Sequence, residues 1–374
     1  MLDKIFSKEI CNTGRQIEID VLRTWLLIDL ILCHCFIYCS SDERLLTGIP
    51  YAYDSVIGGP LCAPCFMLCM GIGMVYTKHN TARDFAKRGL LLAPVAFLLN
   101  ICRFTIPGLI GYAITGEKET YLPTVFYETF ENDILMFASL SFLTMALFKH
   151  FNLKPWIIVI IGLVMSGITT LIGGIDLGSP VANIIVGHFI GTEDAAELVC
   201  SYFTLFNWFA ITAIGYLYGT YYQRVKDKKL FHLVIGVPAL ILAITYFAIR
   251  IPARVGVFGE GQICYYHAST VDMLGSAISA IARLAICYFI SLILPDALKE
   301  FMKKTSSNVT ASYCIQWVLV IVISTLFLYI IRGTSELSDF MIIILGICIC
   351  VVSIVGARCY KAFLLSRRKT NEKE

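Results

Sequence analysis

The sequence contains little charge. Of its 374 residues, 57% are hydrophobic and only 15% are charged, and the mean hydropathy is +0.75. A soluble domain of this size would carry about a quarter charged residues. The composition therefore excludes an ordinary soluble domain and favours a protein that crosses a membrane several times. The net charge of +3 favours no class of partner, and we expect no nucleic acid.

Proline- or serine-rich linkers and internal repeats are also missing from the sequence, and we expect no cleavable signal peptide. The first twenty residues are polar and mixed in charge, and the first apolar run is long enough to span a bilayer. We therefore expect one polytopic domain over residues 1–374, with a short cytoplasmic N-terminus at 1–20 and a solvated tail at 358–374.

Paired metal-ligand motifs are missing too. Most of the fifteen cysteines lie inside apolar runs, where cysteine behaves as a small hydrophobic residue. The Cys62-x-x-Cys65 motif has no second ligand pair, so we expect no metal site. Cys200 and Cys264 both fall in predicted outer loops, where a disulfide would be chemically allowed.

The apolar runs predict an all-α integral membrane protein of about ten transmembrane helices. These runs lie at 21–40, 58–76, 89–112, 133–149, 156–175, 201–222, 231–249, 270–294, 310–331 and 339–357. Most of the 30 lysine and arginine residues fall in segments that an N-terminus in the cytoplasm would put on the inner side. This bias predicts that both termini are cytoplasmic.

The first helix carries ionisable groups that a lipid-facing helix avoids. Asp20 and Arg23 lie at its entry, but Asp29 and His34 lie roughly 12 and 20 Å into the bilayer core. An ionisable side chain at that depth costs a few kcal/mol, so it normally faces a protein interior or a watery cavity. The sequence therefore predicts a polar site inside the helix bundle.

Several short motifs resemble those of one enzyme family. They are Asp20-x-x-Arg23 with His34 eleven residues after the arginine, then Pro64, Phe66 and Gly71, the basic pair Lys87 and Arg88, Asp133-Ile-Leu, and the segments 205–219 and 306–319. Together they resemble the transmembrane acyltransferases, that is, the acyltransferase-3 proteins and relatives of the heparan-α-glucosaminide N-acetyltransferase type. The ten-helix plan of that family covers nearly the whole chain.

The resemblance implies transfer of an acyl group, usually acetyl from cytoplasmic acetyl-CoA, to a hydroxyl or amine on the outer side. Such O- or N-acyltransferases modify a carbohydrate or a lipid-linked acceptor. The reaction needs a general base near neutral pKa, and histidine is the natural choice. His34 is the only histidine within a predicted helix interior, so we expect it to be the general base or a transient acyl carrier.

The other candidate residues divide between the two substrates. We expect the acyl donor to be bound by Asp20, Arg23, Asp29, Lys87, Arg88 and Arg283, and the acceptor by Asn100, Arg103, Glu131, Asp133, Trp208, His267 and Gln316. Structural roles stay open for many of them. Asp29 and Arg283 could form an ion pair, as could Arg103 with Glu131 or Asp133, and the positive-inside rule alone would put basic residues at the inner mouth.

Four departures from the family pattern keep a non-catalytic relative open, one that binds an acyl donor or a sugar. Leu91 replaces a second arginine, residues 41–57 contain no histidine, and Met70 and Gln316 stand where relatives have serine and histidine. A secondary transporter of a small polar solute is the rival from another class, because transporters also bury charges near the midplane.

The surroundings of the protein follow from the same observations. High isoleucine and cysteine content and the absence of a eukaryotic targeting signal favour a bacterial plasma membrane. The partners we expect are acyl-CoA, the acceptor and membrane lipids, and homo-oligomerisation stays open.

Overall fold

The computed structural model describes residues 2–122, 125–192, 201–259 and 265–371, leaving aside the side chains of residues 59, 60 and 368–371. Within these ranges the regular structure is helical, and two isolated bridges are the only β contacts. The main helices are α1 (Ile17–Cys39), α2 (Gly48–Tyr76), α3 (Ala82–Thr115), α4 (Ile134–His150), α5 (Pro155–Ile172), α6 (Pro180–Ile190), α7 (Leu205–Tyr222), α8 (Lys228–Ala253), α9 (Thr270–Ile293), α10 (Asp296–Ser306), α11 (Val309–Arg332) and α12 (Asp339–Asn371).

In the described ranges, nine helices are long and apolar enough to cross a membrane: α1 to α5, α8, α9, α11 and α12, with α4 extended back to Lys118. The protein is therefore an all-α integral membrane protein. α7 is not among these nine, although it lies at the position of a predicted span and packs along α2 and α5.

The chain path requires α7 to cross the bundle as well. The N-terminal segment hydrogen-bonds to the residues just after α7, with Ser7 N–H donating to Arg224 O at 2.8 Å and Lys226 N–H donating to Ile5 O at 2.9 Å. Five of the nine spans lie between these partners, so only a sixth crossing returns the chain to its starting side. The hydrogen bonds thus support a ten-helix plan.

Further hydrogen bonds bring other segments to the same side of the bundle, here called the N-terminal end. Arg15 donates to Lys303 O at 2.7 Å, Thr24 to Met302 O at 3.2 Å, and Arg358 to Thr305 Oγ1 at 3.1 Å. Both chain termini therefore lead from this end. Its assignment to the cytoplasm stays a prediction of the positive-inside rule.

The bundle is tightest where α2 crosses α7. A Cβ atom on Gly71 would lie 2.1 Å from Thr212 O, and one on Gly215 would lie 2.3 Å from Leu68 O. Only glycine allows two helix backbones to approach this closely, and small residues commonly mark such crossings in membranes. Gly71, one of the motif residues, therefore serves packing.

A π-helical turn at Ile101–Thr105 interrupts α3. Pro107 follows it and has no N–H to donate to the carbonyl of Arg103, four residues back. The other proline of this helix, Pro94, causes no break, because α3 runs through it from Ala82 to Asn100 as regular α-helix. The break therefore includes Arg103.

The loops opposite the N-terminal end, at what we call the far end, contain more helix than we predicted. α2 begins at Gly48 rather than at residue 58, and the predicted loop 176–200 contains α6. α6 is apolar but only 11 residues long, too short to signal a span.

Two histidines that we placed in loops or at helix edges, His188 and His232, lie within helices. Cys200 and Cys264, the proposed disulfide partners, lie outside the described residues.

Candidate active site

His34 lies in the second half of α1 and faces α11. Its ring stacks on Trp317, with ring centroids 3.7 Å apart and planes inclined by 27°. Its Nδ1 lies 3.1 Å from Oε1 of Gln316. Gln316 is fully buried and His34 is 8% exposed. Two consecutive residues of α11 therefore hold the imidazole, one by its edge and the other by its face.

The contact with Gln316 selects the tautomer of His34. An amide oxygen can only accept a hydrogen bond, so Nδ1 carries the proton and donates it to Oε1. In the described part of the chain no group hydrogen-bonds to Nε2. That nitrogen keeps its lone pair, which is what a general base needs.

Gln316 also provides a donor that nothing in the described ranges accepts. Its Nε2 atom is buried and has no hydrogen-bond partner there. Leaving a buried donor unpaired costs about 1–3 kcal/mol, so such atoms are informative at a site. An amide N–H beside a base could stabilise negative charge that develops on a carbonyl oxygen.

Arg103 is buried behind this pair and binds two carboxylates. Its Nη2 lies 2.8 Å from Glu131 Oε1 and its Nη1 lies 2.9 Å from Asp133 Oδ2. Nη2 also donates to Asn100 Oδ1 at 2.9 Å, and the amide of Asn100 donates to Glu131 O at 2.9 Å. The side chain of Arg103 is 0% exposed. Arg103 therefore stabilises the site through its buried partners. The acceptor contact that we predicted for Arg103 remains untested.

Two aromatic residues of α11 join the arginine to the histidine. The guanidinium of Arg103 lies 4.4 Å from the ring centre of Trp317, so the indole contacts both a cation and the imidazole. One turn earlier, Tyr313 donates its hydroxyl to Asp133. Asp133 also accepts the first N–H of α4, from Ile134 at 2.6 Å. The geometry of the site is thus fixed from α1, α3, α4 and α11 together.

A cavity of about 250 Å³ leads toward this cluster from the N-terminal end. It is lined by Arg23, Phe66, Met67, Met70, Gly73, Arg88, Leu92, Ile134, Leu135, Phe137, Ala138, Phe142, Val309, Thr310 and Tyr313. Its lining follows α4 from Ile134 to Phe142, which is about 12 Å of helix. The cavity is therefore basic at one end and reaches Tyr313, the partner of Asp133, at the other.

The two arginines of the cavity are held in place by neighbouring groups. Arg23 donates from Nη2 to Cys69 O at 2.9 Å, and the guanidinium of Arg88 lies 4.7 Å from the ring centre of Phe142. Lys87 is exposed and does not line the cavity. Of the predicted donor residues, the structure brings Arg23 and Arg88 together in the lining of one cavity.

Asp20 is used structurally. Arg15 Nε lies 2.6 Å from Asp20 Oδ2, and Arg15 Nη2 lies 2.8 Å from Asp20 Oδ1. This side-chain hydrogen bonding raises the pKa of Arg15 above its usual value. Asp20 therefore ties the N-terminal segment to α1, and it does not line the arginine cavity.

Asp29 and Arg283 form the buried ion pair that we considered for them. Tyr53 adds a hydroxyl at 3.3 Å from Asp29, and Arg283 stacks on Trp25 with 4.4 Å to the ring centre. Neither partner lines the arginine cavity. Their proposed contact with the acyl donor has no support from this geometry.

Trp208 and His267 belong to an aromatic group at the far end. Trp208 is fully buried and donates from Nε1 to Tyr266 O at 2.9 Å, and His267 Nε2 lies 3.1 Å from Ser201 O. Tyr202 and Tyr266, 4.5 Å apart by ring centroids, complete the group. Burial raises the pKa of both phenols well above the usual value, and the charge of Glu131 raises each further. The tyrosines thus lie near the carboxylates that hold Arg103.

Sequence reasoning did not single out Tyr313 and Trp317. Both fall within an apolar run, where an aromatic residue carries no signal of a site. It also missed a second polar cluster, at the N-terminal end. There Tyr222 donates to the buried Glu18 and lies 2.9 Å from His232 Nε2. Glu18 is separated from its partners by some two hundred residues, so no local pattern could reveal the contact.

The fold and the site define a polytopic membrane protein. It has a histidine site buried between its helices and an arginine-lined cavity on the N-terminal side of that site. The family model of the acyltransferase-3 domain matches residues 16–358. The chain therefore belongs to the acyltransferase-3 family and is a membrane acyltransferase. No curated protein and no solved structure matches it.

Proposed function

We propose that this protein transfers an acyl group, acetyl in the first instance, from cytoplasmic acyl-CoA to a hydroxyl or amine on the outer face of the membrane. The acceptor is a carbohydrate or a lipid-linked molecule. One observation carries the proposal: the cavity runs from Arg23 and Arg88 to Tyr313, beside the cluster that holds His34.

The cavity suits the shape and charge of an acyl-CoA. Phosphates at the N-terminal end would accept charge-assisted hydrogen bonds from Arg23 and Arg88. The apolar middle, which includes Phe66, Met70 and Leu92, would accommodate an uncharged pantetheine arm and acyl chain. The thioester would then approach the cluster around His34 from the side of Tyr313.

The reaction needs one proton acceptor and one oxyanion donor. Nε2 of His34 takes the proton of the acceptor hydroxyl or amine as its oxygen or nitrogen bonds to the thioester carbon. The negative charge moves to the carbonyl oxygen, beside the unpaired amide donor of Gln316. When the carbon–sulfur bond breaks, the CoA thiolate takes the proton from His34. A positioned base contributes about 10²–10⁴-fold to such a step.

The acceptor would arrive from the far end. There, Tyr202 and Tyr266 provide ring faces and hydroxyls near Glu131, a combination that suits a sugar. This side of the proposal predicts an acceptor with both an apolar ring face and several hydroxyls.

The first test is calorimetric binding of acetyl-CoA to the detergent-purified protein, combined with an assay of CoA release. Arg88→Ala removes a cavity-lining charge, and Lys87→Ala is its matched control, because the neighbouring Lys87 is exposed and outside the cavity. We expect Arg88→Ala to weaken binding about tenfold or more, since a charge-assisted hydrogen bond contributes about 1.5–3 kcal/mol. Lys87→Ala should bind as the unmodified protein does.

His34→Ala separates binding from chemistry in the same assay. We expect it to bind acetyl-CoA with unchanged affinity and to lose CoA release by about 10²-fold or more. Binding without turnover in the unmodified protein, even with acceptor mixtures present, would favour a non-catalytic relative. If no acyl-CoA bound at all, the donor proposal would be wrong.

A further inference from the structure

A second cavity opens at the N-terminal end, between α1, the start of α8, the end of α9 and α10. Its volume is about 450 Å³. It is lined by Arg15, Ile17, Glu18, Lys228, Tyr288, Ser291, Leu292, Lys299 and Lys303. Four of these residues are cationic and one is a carboxylate. Arg23, Arg88 and His34 do not line it, so the acyl-transfer proposal does not use this cavity.

The four cations differ in how well they are paired. Arg15 binds Asp20 with two nitrogens, and Lys228 binds Gln16 and lies 3.2 Å from Glu18. These two are largely neutralised by buried partners.

Lys299 and Lys303 have only loose partners on their own helix. Lys299 Nζ lies 3.6 Å from Asp296, whose side chain is fully exposed, and Lys303 Nζ lies 3.8 Å from the half-exposed Glu300. Exposed pairs at these distances contribute little and are screened by salt. Two cations at the mouth of the cavity are therefore available to an anionic ligand.

The apolar surroundings indicate where such a ligand comes from. Leu292 and Ile293, the last residues of α9, are 54% and 82% exposed. α9 has 24 residues, about 36 Å of helix, so these side chains lie at the boundary of the bilayer core. α10 follows at once and packs along α1 and α12, with Leu298 and Phe301 also exposed. A cationic cavity thus opens beside apolar side chains at the depth of lipid headgroups.

We propose that this cavity binds the phosphate-bearing headgroup of an anionic phospholipid, with Lys299 and Lys303 contacting the phosphate and an acyl chain lying along Leu292 and Ile293. A soluble phosphate compound would meet the same two lysines, but it would leave the adjoining apolar side chains uncovered. Charge complementarity at the mouth and exposed apolar residues at its edge together favour the lipid.

The test is native mass spectrometry of the full chain in detergent, titrated with phosphatidylglycerol or with phosphatidylcholine of the same acyl chains. The informative variant is Lys299→Gln/Lys303→Gln. The matched control is Lys304→Gln/Lys361→Gln, which removes two charges from the same end of the bundle. Neither Lys304 nor Lys361 lines the cavity, and both are exposed.

We expect one phosphatidylglycerol to bind more tightly than phosphatidylcholine in the unmodified protein. The cavity variant should weaken that binding about thirtyfold, because it removes two lysines and each basic residue at an anionic membrane surface usually contributes about fivefold. The control should stay within about twofold of the unmodified protein. Thermal melting of each variant checks that the fold is intact.

Three results would overturn the proposal. Equal loss in the cavity variant and the control would mean that only the overall charge matters. Equal binding of the two lipids would remove the headgroup preference. Displacement of phosphatidylglycerol by millimolar inorganic phosphate or by CoA would assign the cavity to a soluble phosphate compound. Each result is independent of whether the protein turns over acetyl-CoA.

Discussion

The polar side chains of this protein are held in pairs across the bundle, and Gln316 shows what one such pair achieves. Its amide oxygen fixes the proton of His34 on Nδ1, while its nitrogen remains unpaired within the described ranges. One residue thus provides both the orientation of a base and a free donor. We expected Gln316 to contact the acceptor, and its partner in the structure is the predicted general base.

Replacing Gln316 with leucine tests this double role. Gln316→Leu keeps the approximate volume but removes the acceptor for Nδ1 and the unpaired donor. We expect kcat to fall about 10²-fold, since a single oxyanion donor contributes 10²–10³-fold, while KM for acetyl-CoA changes little. Steady-state kinetics with varied acetyl-CoA measures both values. A rise in KM with an unchanged kcat would instead assign Gln316 to substrate binding.

Arg103 forms a buried cluster with two carboxylates, and we expect the removal of its charge to destabilise the fold. Arg103→Met would leave Glu131 and Asp133 buried without their cation. We expect a loss of about 3–5 kcal/mol in the free energy of unfolding, which is typical when one partner of a buried ion pair is removed. Denaturant unfolding in detergent measures this loss.

Arg332→Met is the matched control for that experiment. Arg332 is exposed, and its Nη1 donates to a backbone carbonyl at 3.2 Å. Its replacement should change stability by less than about 0.5 kcal/mol. Equal losses in the two variants would show that the buried cluster is not a source of stability.

At the level of helices, the close approach of α2 and α7 holds the centre of the bundle. Gly71→Ala would put a methyl group against the carbonyl of Thr212, a backbone atom that cannot rotate away. We expect a loss of about 1–3 kcal/mol, the usual effect of overpacking. The melting temperature in detergent should fall accordingly.

Gly167→Ala provides the comparison for Gly71→Ala. Gly167 lies within α5, and a Cβ there would meet no atom within 4 Å. Alanine is the better helix former, so this variant should be neutral or more stable by up to about 1 kcal/mol. A melting temperature lowered as much as that of Gly71→Ala would mean that the crossing does not set stability.

The whole molecule has two ends, and its contacts determine which segments share an end. Cys11 and Cys359 are both exposed at the N-terminal end. If that end is cytoplasmic, a membrane-impermeant maleimide should label them in inside-out vesicles and not in intact cells. Cys11→Ser/Cys359→Ser should abolish the vesicle signal. Labelling of these two cysteines in intact cells would reverse the predicted orientation.

Much of this architecture could be predicted from the sequence. The apolar runs predicted the helices, and the depth of Asp29 and His34 predicted polar partners for them inside the bundle. The Asp29–Arg283 ion pair could be predicted because the two side chains lie at similar depth in the membrane. The prediction that Arg103 pairs with Glu131 or Asp133 was confirmed, because Arg103 binds both carboxylates. The predicted places of Trp208 and His267 at an acceptor pocket remain untested.

The remaining parts depended on packing between segments far apart in the chain. Tyr313 and Trp317 look like ordinary apolar-run residues until α11 is placed against α1 and α3. α3 breaks just before Pro107 and not at Pro94, because neighbouring helices decide where a freed carbonyl is tolerated.

By itself, the sequence determined that this chain is a multi-pass membrane protein of the acyltransferase-3 family with His34 buried inside it. Hydropathy and charge bias are properties of consecutive residues, so the order of residues in the sequence is enough to reveal them. Only the tertiary structure decided that Gln316 and Trp317 hold His34, that Arg23 and Arg88 share a cavity, and that Lys87 does not. Those relations depend on which helix faces meet, and the free energy of helix packing is distributed over contacts that no local segment contains.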